Sequence, residues 1–558
     1  MTPLTEQIIS NDYADYIVPL ASSISDFLID YASYGPQVQN ENYGLLHVER
    51  GGKTPFEIYT DYSLLPKLFT TLNTISLEVA GITQAQTQTS LGLTGKGVLV
   101  GFIDTGIDYL HPAFRALNGN SRIVSIWDQT IDSDTPPETY DYGTQYTQAQ
   151  LNEAIFAEDP YALVPTRDII GHGTRIAGAA CGTPNLQAEF MGAAYDAQLC
   201  VVKLKEAKPY LEEYFFANGS QPAYQENDIM MGIRYLVEQS TRLSLPLILC
   251  FALGTNQGDH SGTTPLNNML SRYPRFPGMI PVIAGGNEGG RAHHYQRSTS
   301  TTTEVEILVQ EDTAGFTLEL WGNATGLYSV GLQTPLGQQI DRIPARPGQS
   351  NHIQFVLEKT TLVITYEILQ TASGNQLIFF RFMDPSPGIW KIRVYPSSNQ
   401  ENTFFMWLPI TGLMNRDVTF LEPSPYTTLT TPANDSAVLA TTTFNAYDGS
   451  LYIHSSRGYT RTNVIKPDLA SPGVNVSAPK PGGTYTAATG SSMAAALLSG
   501  SVALVQEWAL QQSNRPFTIG EIRGFLVRGA TREETLEYPN RDWGYGKLNL
   551  YNSFLSLM

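Results

Sequence analysis

The stretch Lys96–Gly106, KGVLVGFIDTG, decides how the rest of the chain is read. It is a nearly continuous apolar run ending in turn residues, the pattern of a strand buried on both faces of a parallel sheet. Runs of the same texture recur at 197–204 (AQLCVVKL), 245–253 (LPLILCFAL) and 279–286 (MIPVIAGG). Between two of them, over 227–243, Ile229, Ile233 and Leu236 share one helical face. Strands alternating with helices predict an α/β fold with a doubly wound parallel sheet, whose reactive groups gather at the carboxyl ends of strands. Asp104 stands at such an end.

Outward from this core the texture changes twice. Between about 297 and 430 short β-type runs dominate, among them 303–310 (TEVEILVQ), 316–322 (FTLELWG), 353–359 (IQFVLEK), 361–368 (TLVITYEI), 377–383 (LIFFRFM), 389–395 (IWKIRVY) and 403–409 (TFFMWLP). Their spacing predicts a β-sandwich or jelly roll. Trp321 and Trp390 sit in strand patterns and read as core. The N-terminal 75 residues read as a small α+β unit, with strands at 15–21 and 43–50 and a helix carrying Ile24, Phe27, Leu28 and Tyr31. A segment at 64–82 packs as a short helix or links to the next unit. The expected organisation is therefore an α+β unit (1–75), an α/β part in two pieces (76–296 and 431–558), and a β-sandwich insertion (297–430).

Composition narrows the partners. With 34 basic and 52 acidic residues the 558-residue chain carries a formal charge of −18. That field repels nucleic acid and anionic membrane, so neither is expected as a partner. The start, MTPLTEQIISNDYADYIVPL, has no basic head followed by an apolar run, so no signal peptide is expected. No uninterrupted apolar stretch of about 18 residues predicts a membrane span. Cys181, Cys200 and Cys250 lie among small or apolar neighbours and, being odd in number, read as buried thiols rather than a disulfide framework. The expected location is the cytoplasm or another compartment reached without a cleaved signal.

Four segments carry candidate chemistry. Asp104, at the end of a buried strand, can hold a carboxylate against an imidazole. A paired-aspartate protease would need a second Asp-Thr/Ser-Gly motif, and the sequence has none. His172, in 168–182 (DIIGHGTRIAGAACG), is flanked by glycines and precedes small residues suited to tight helix–sheet contact. It has no second histidine at i+4 and no glutamate at zinc spacing, so no metal site is assigned and no cofactor is expected. Taken alone it would more often be structural. Ser492, in 484–505 (TYTAATGSSMAAALLSGSVALV), stands at a sharp turn where a small-residue helix begins, placing a helix N-terminus behind a nucleophile. Serines at helix starts are also ordinary caps. Asn287 follows a strand and a glycine pair, where its amide can stabilise an oxyanion or simply make a turn. The chain order Asp, His, Ser is that of the subtilisin arrangement.

At these residues the sequence resembles the subtilisin-like serine peptidases, the subtilases. Residues 98–114, 171–178 (GHGTRIAG), 192–204, 282–289 (VIAGGNEG), 455–458 (SSRG), 465–479 and 489–500 (TGSSMAAALLSG) carry the resemblance. It implies a catalytic triad of Asp104, His172 and Ser492, with Asn287 as oxyanion donor. It also implies that Ala252, Leu253 and Gly254, with Ala284, Gly285 and Gly286, border the pocket for the residue preceding the cleaved bond. A cleft walled by glycine and alanine would accept many side chains.

The layout and the ending PNRDWGYGKLNLYNSF (539–554) resemble the clostridial subtilases that include the Csp germination proteases. This implies that the N-terminal unit is a prodomain, cut between about Leu64 and Ser90 and able to stay bound, that the insertion is a jelly roll stiffening the protease, and that the protein is cytoplasmic or spore-associated. Arg175, Ser491, Ala496-Leu497 and Ala252 depart from common family residues, but none is a triad position. The leading expectation is a self-processing serine endopeptidase acting on protein or peptide. A catalytically silent sensor or scaffold is the alternative, and a sandwich-centred binding protein a third reading.

Overall fold

The run around Asp104 forms strand β1 (Leu99–Asp104), every residue of which is buried. It lies inside an eight-stranded sheet with β2 (Ile123–Asp128), β3 (Thr144–Thr147), β4 (Gln198–Lys203), β5 (Leu247–Phe251), β6 (Met279–Ala284), β7 (Leu439–Phe444) and β8 (Leu469–Pro472). The spatial order is β8-β7-β6-β5-β1-β4-β2-β3. All neighbours run parallel except β2 and β3. After β4 the chain crosses to the other side of β1 to make β5, so β1 and β5 flank the point where strand order reverses, the place where open α/β sheets bind ligands.

The period of two along β1 divides the core. Val100 and Phe102 join the cluster that contains Ile176 and Ala180 of α1 (His172–Cys181), while Leu99 and Ile103 face Ile229, Ile233 and Leu236. A short helix, α2 (Pro209–Phe215), precedes α3 (Glu226–Leu243), which carries that second triplet. The longest helix, α4 (Ser491–Ser513), is apolar nearly all round. It alone among the described helices is long and apolar enough to cross a membrane, with a mean hydropathy of 1.4 over its best window, yet 89% of that window is buried inside the fold. The run is not an uninterrupted apolar stretch, since serines at 491, 492, 499 and 501 with Gln506 and Glu507 break it. A helix apolar on every side belongs in a core.

Residues 294–420 form two antiparallel sheets, one of six strands and one of five, around a shared aromatic core. The first strand begins at His294, three residues before the expected boundary. Along Gln376–Met383 buried and half-buried residues alternate strictly. Phe316 and Phe382 stack at 4.3 Å, and Trp321 and Trp390 are both buried as expected. The run at 353–359 is not the strand its composition suggests. The strand there is Ser350–Gln354, and Val356 and Leu357 lie in the following turn, 90% and 72% exposed. Strands Tyr328–Gln333 and Gln339–Ile343 were not expected.

This computed structural model describes residues 7, 12–20, 23–38, 43–51, 53, 58, 75–133, 135–272, 276–346, 350–370, 373–416 and 418–557. The chain divides into two compact units, Met1–Thr71 and Leu72–Met558. The second holds both the parallel sheet and the inserted strands. The first contains a three-stranded antiparallel sheet, with Tyr43–Glu49 between Tyr13–Pro19 and Gln37–Val38, and a helix over Ile24–Asp30. Ser23 caps that helix by accepting the Asp26 N–H, and the buried Phe27 ring occupies the space over Gly44. Of the segment expected as helix or linker, 64–74 lies outside the described residues, and the remainder forms helices Ile75–Val79 and Ile82–Thr87.

Candidate active site

Two strand ends and two helix starts converge at one edge of the sheet. Asp104 is the last residue of β1, His172 the first of α1, and Ser492 the second of α4, while Asn287 follows β6 by three residues. The Asp104 carboxylate, 2% exposed, faces the His172 Nδ1 at 2.8 and 3.0 Å. With that nitrogen donating, the Nε2 lone pair is free to accept the Ser492 hydroxyl, 3.1 Å away. The same hydroxyl lies 3.3 Å from the Ala252 carbonyl, so its single proton is shared between two acceptors.

Close approach explains the glycine after His172. A Cβ on Gly173 would stand 3.2 Å from the Asp104 Cβ and press into the Gly106 carbonyl, forcing α1 away from the strand end. The turn is then locked by Asp168, a buried carboxylate that sequence reading missed. Its oxygens accept the Thr105 hydroxyl (2.8 Å), the Gly171 N–H (2.7 Å), and the Thr174 N–H (2.9 Å) and hydroxyl (2.6 Å). Asp168 thus ties the end of β1 to the start of α1, four residues before the histidine. An acidic residue just before a helix start was the signal that could have revealed it.

Electrostatics favour a basic imidazole. The His172 side chain is 30% exposed. Desolvation works against its protonation and Arg175 opposes it too, but the charge and hydrogen bond of Asp104 outweigh both and raise its pKa above the ordinary 6.5. Asn287 uses its Oδ1 to accept the Ser491 N–H at 3.0 Å, which fixes the amide plane and leaves Nδ2 for the cleft that Asn287 lines. The next residue, Glu288, is held in turn: its buried carboxylate accepts from His293 Nδ1 (2.6 Å), Asn256 Nδ2 (3.2 Å) and the Thr411 N–H (3.2 Å). Burial would push this carboxyl up, and those hydrogen bonds hold it below its usual range.

A cleft of 860 Å³ opens beside the serine, lined among others by His172, Ser492, Asn287 and Ala252–Gly254. It is also lined by half-buried Leu211 and Phe215 of α2 and half-buried Ile410 and Leu413 from the loop between sandwich strands Asn402–Trp407 and Thr419–Phe420. These parts are held together: the Arg381 guanidinium donates to the Tyr214 carbonyl (2.9 Å), and the Gly219 N–H to the Leu413 carbonyl (2.9 Å). Of the two expected pocket walls, Ala252–Gly254 line this cleft. The other, Ala284–Gly286, leads into Asn287, with Thr430 packed against Gly286 and the Thr441 carbonyl against Gly285. Among the described residues no group of three or more His, Cys, Asp or Glu is arranged to hold a metal ion. Cys181, Cys200 and Cys250 are buried and unbridged, and burial pushes each thiol well above its usual range.

With this geometry in view, the subtilase family profile matches residues 95–546. The chain belongs to the subtilase family. Among solved structures this subtilase is similar to the CspB protease of Clostridium perfringens, with 30% sequence identity and a TM-score of 0.76 over 86% of this chain and 98% of that one. Among curated proteins it is 25% identical over 203 residues to a subtilisin of Bacillus sp. (strain TA39), 36% of each chain. It is 28% identical over 141 residues to human neuroendocrine convertase 2, 25% of this chain and 17% of that protein. The match therefore spans only about a third of the Bacillus subtilisin and less of the convertase.

Proposed function

We propose that this subtilase is a serine endopeptidase with Ser492 as nucleophile. The observation that carries the reading is the unbroken hydrogen-bonded line from Asp104 through His172 to Ser492. Ser492 Oγ adds to the scissile carbonyl carbon as its proton passes to His172 Nε2. The developing oxyanion is met by Asn287 Nδ2 and by the Ser492 N–H, one of the first helix amides that have no intrahelical acceptor. The intermediate collapses, the C–N bond breaks, and the leaving amine takes the proton from His172. Water then repeats the sequence on the acyl-enzyme. Asp104 holds the imidazole tautomer and stabilises the imidazolium. The cleft beside the serine takes a polypeptide.

The N-terminal α+β unit is proposed as a prodomain that the protease removes, and the sandwich insertion as a jelly roll that stiffens the cleft. A protease cleft accepts extended chain, whereas residues 75–87 are largely helical and bury Leu77, Ala80, Ile82 and Ala85. This favours a cut before Ile75. A spore-germination role, in the cytoplasm or the spore, is the part of the proposal that family layout alone supports.

Intact mass spectrometry of the wild type beside Ser492→Ala tests the reading. The wild type is expected to split into a fragment of roughly 7–10 kDa and a large remainder, the variant to stay whole. Proteolysis by Ser492→Ala would refute the nucleophile. Two whole proteins would favour a silent scaffold.

A further inference from the structure

A second pocket, of 520 Å³, lies in the sandwich and shares no lining residue with the cleft beside Ser492. Residues 297–304 form its wall as one continuous run of chain. This run turns between strands of different sheets: His294–Thr299 pairs with Asn402–Trp407, and Thr303–Val309 with Gly388–Pro396. The two strands therefore part as they leave the turn. Residues 421–424 tie them together further along, the Leu421 N–H donating to the Glu306 carbonyl (3.1 Å) and the Ser424 N–H to the His294 carbonyl (2.8 Å). What remains between them is a hollow at the edge of the sandwich.

Most charges around this hollow are unpaired. Glu304 is neutralised by Lys391 (2.8 Å) and Arg393 (3.3 Å). Arg297, Glu401 and Glu422 share the pocket, yet make no ion pair or hydrogen bond among the described residues. Opposite charges held apart in this way can be bridged by a ligand that carries both signs. Two carboxylates and one guanidinium call for two cationic groups and one anionic group. Tyr295 lines the same hollow. It is 4% exposed, its ring lies 5.9 Å from that of Phe404 and 5.8 Å from that of Phe420, and its hydroxyl makes no hydrogen bond among the described residues. Burial pushes this phenol up, Arg297 opposes the rise and Glu422 adds to it, so both charges reach its oxygen. A nearly buried hydroxyl left open to a pocket offers a ligand a hydrogen bond. The wall offers backbone as well: His294–Thr299 is the outer strand of its sheet, and an extended peptide adds to such an edge. The cube root of 520 Å³ is about 8 Å, the span of two extended residues at roughly 3.3–3.6 Å each.

We propose that this hollow binds a short basic peptide, of dipeptide size and with both termini free. Its terminal carboxylate meets Arg297, its terminal ammonium and its basic side chain meet Glu401 and Glu422, and the Tyr295 hydroxyl donates to its backbone carbonyl. A ligand of net positive charge also suits a chain whose formal charge is −18. Neither Ser492 nor His172 takes part, so the site stands whether or not the cleft is a working protease.

The test is calorimetric titration of the full-length Ser492→Ala protein, which leaves a peptide uncut, with glycyl-lysine. A Kd of roughly 1 mM or tighter is expected. Capping the carboxylate as the amide, or acetylating the N-terminus, should each weaken binding about tenfold. Arg297→Gln should weaken glycyl-lysine about tenfold and leave glycyl-lysinamide unchanged, because the partner it loses is the carboxylate. Glu401→Gln and Glu422→Gln should each cost about tenfold, and Tyr295→Phe, which keeps the ring in the core, about threefold. Arg297, Glu401 and Glu422 are exposed, so their variants keep the fold, which thermal melting checks. No binding of glycyl-lysine at about 10 mM overturns the proposal, as does an affinity that Arg297→Gln leaves unchanged. Free lysine binding more tightly than the dipeptide would overturn it too, in favour of an amino-acid site.

Discussion

In β1 every residue from Leu99 to Asp104 is buried, whereas in the inserted strand Gln376–Met383 burial alternates residue by residue. The difference follows from what covers each sheet. Helices α1 and α4 pack on one face of the parallel sheet and α3 on the other, so no residue of β1 meets water. Along Gln376–Met383 one face packs into the sandwich core and the other is half-buried, although the neighbouring Gly315–Gly322 is buried throughout. The two regions also treat buried carboxyls differently. Asp104 has an imidazole at hydrogen-bond distance. Glu319, where the insertion meets the cleft loop, accepts from neutral donors, the Trp321 indole (2.8 Å) and the Gly258 N–H (2.9 Å). Burial pushes Glu319 up to about 7. One region places a charge where chemistry can use it, and the other holds a carboxyl that prefers to stay neutral.

This contrast can be broken at several points. Asp104→Asn is expected to lower kcat by about 10⁴. Because Asp104 raises the His172 pKa and only the neutral imidazole accepts a proton, wild-type kcat/KM should rise with pH through a value above 6.5. The variant's residual activity should have its acidic limb at lower pH, and a pH–rate profile reads both effects. Asn287→Ala should cost roughly 10² to 10³ in kcat with little change in KM. Leu413→Asp, at the sandwich side of the cleft, should raise KM about tenfold for long apolar peptides while sparing kcat on short anilides. An equal loss on both would show that the insertion acts on the serine rather than on substrate.

The smallest effect concerns Glu319. Between about pH 4.5 and 7 the folded state keeps a proton that the unfolded chain has lost, so this group's contribution to stability falls as pH rises through that window. Glu319→Gln should raise the pH 8 Tm by a few degrees and change the pH 5 value little. An unchanged gap between the two pH values would mean Glu319 does not titrate as its burial dictates.

What the sequence disclosed tracks these same physics. β1, β4, β5 and β6 were legible because strands covered on both faces write continuous apolar runs, and Asp104, His172, Asn287 and Ser492 were legible because each stands where such a run or a small-residue helix begins or ends. Gln339–Ile343 was not, since its residues are mostly exposed and carry little apolar signal. Residues 353–359 misled for the opposite reason: an apolar run there is spent on an exposed turn. Asp168 acts through Thr105, 63 residues away, and its place just before a helix start is the one local sign of that role.

Helix α4 carries Ser492 on its first turn and buries almost its whole length in the sheet's core. Its sequence follows every strand of the parallel sheet. During synthesis, therefore, the nucleophile emerges after the base and its carboxylate, on a segment too greasy to stand alone in water. Only closure of the core can seat it. A chain that stops short of α4 holds Asp104 and His172 without the Ser492 hydroxyl.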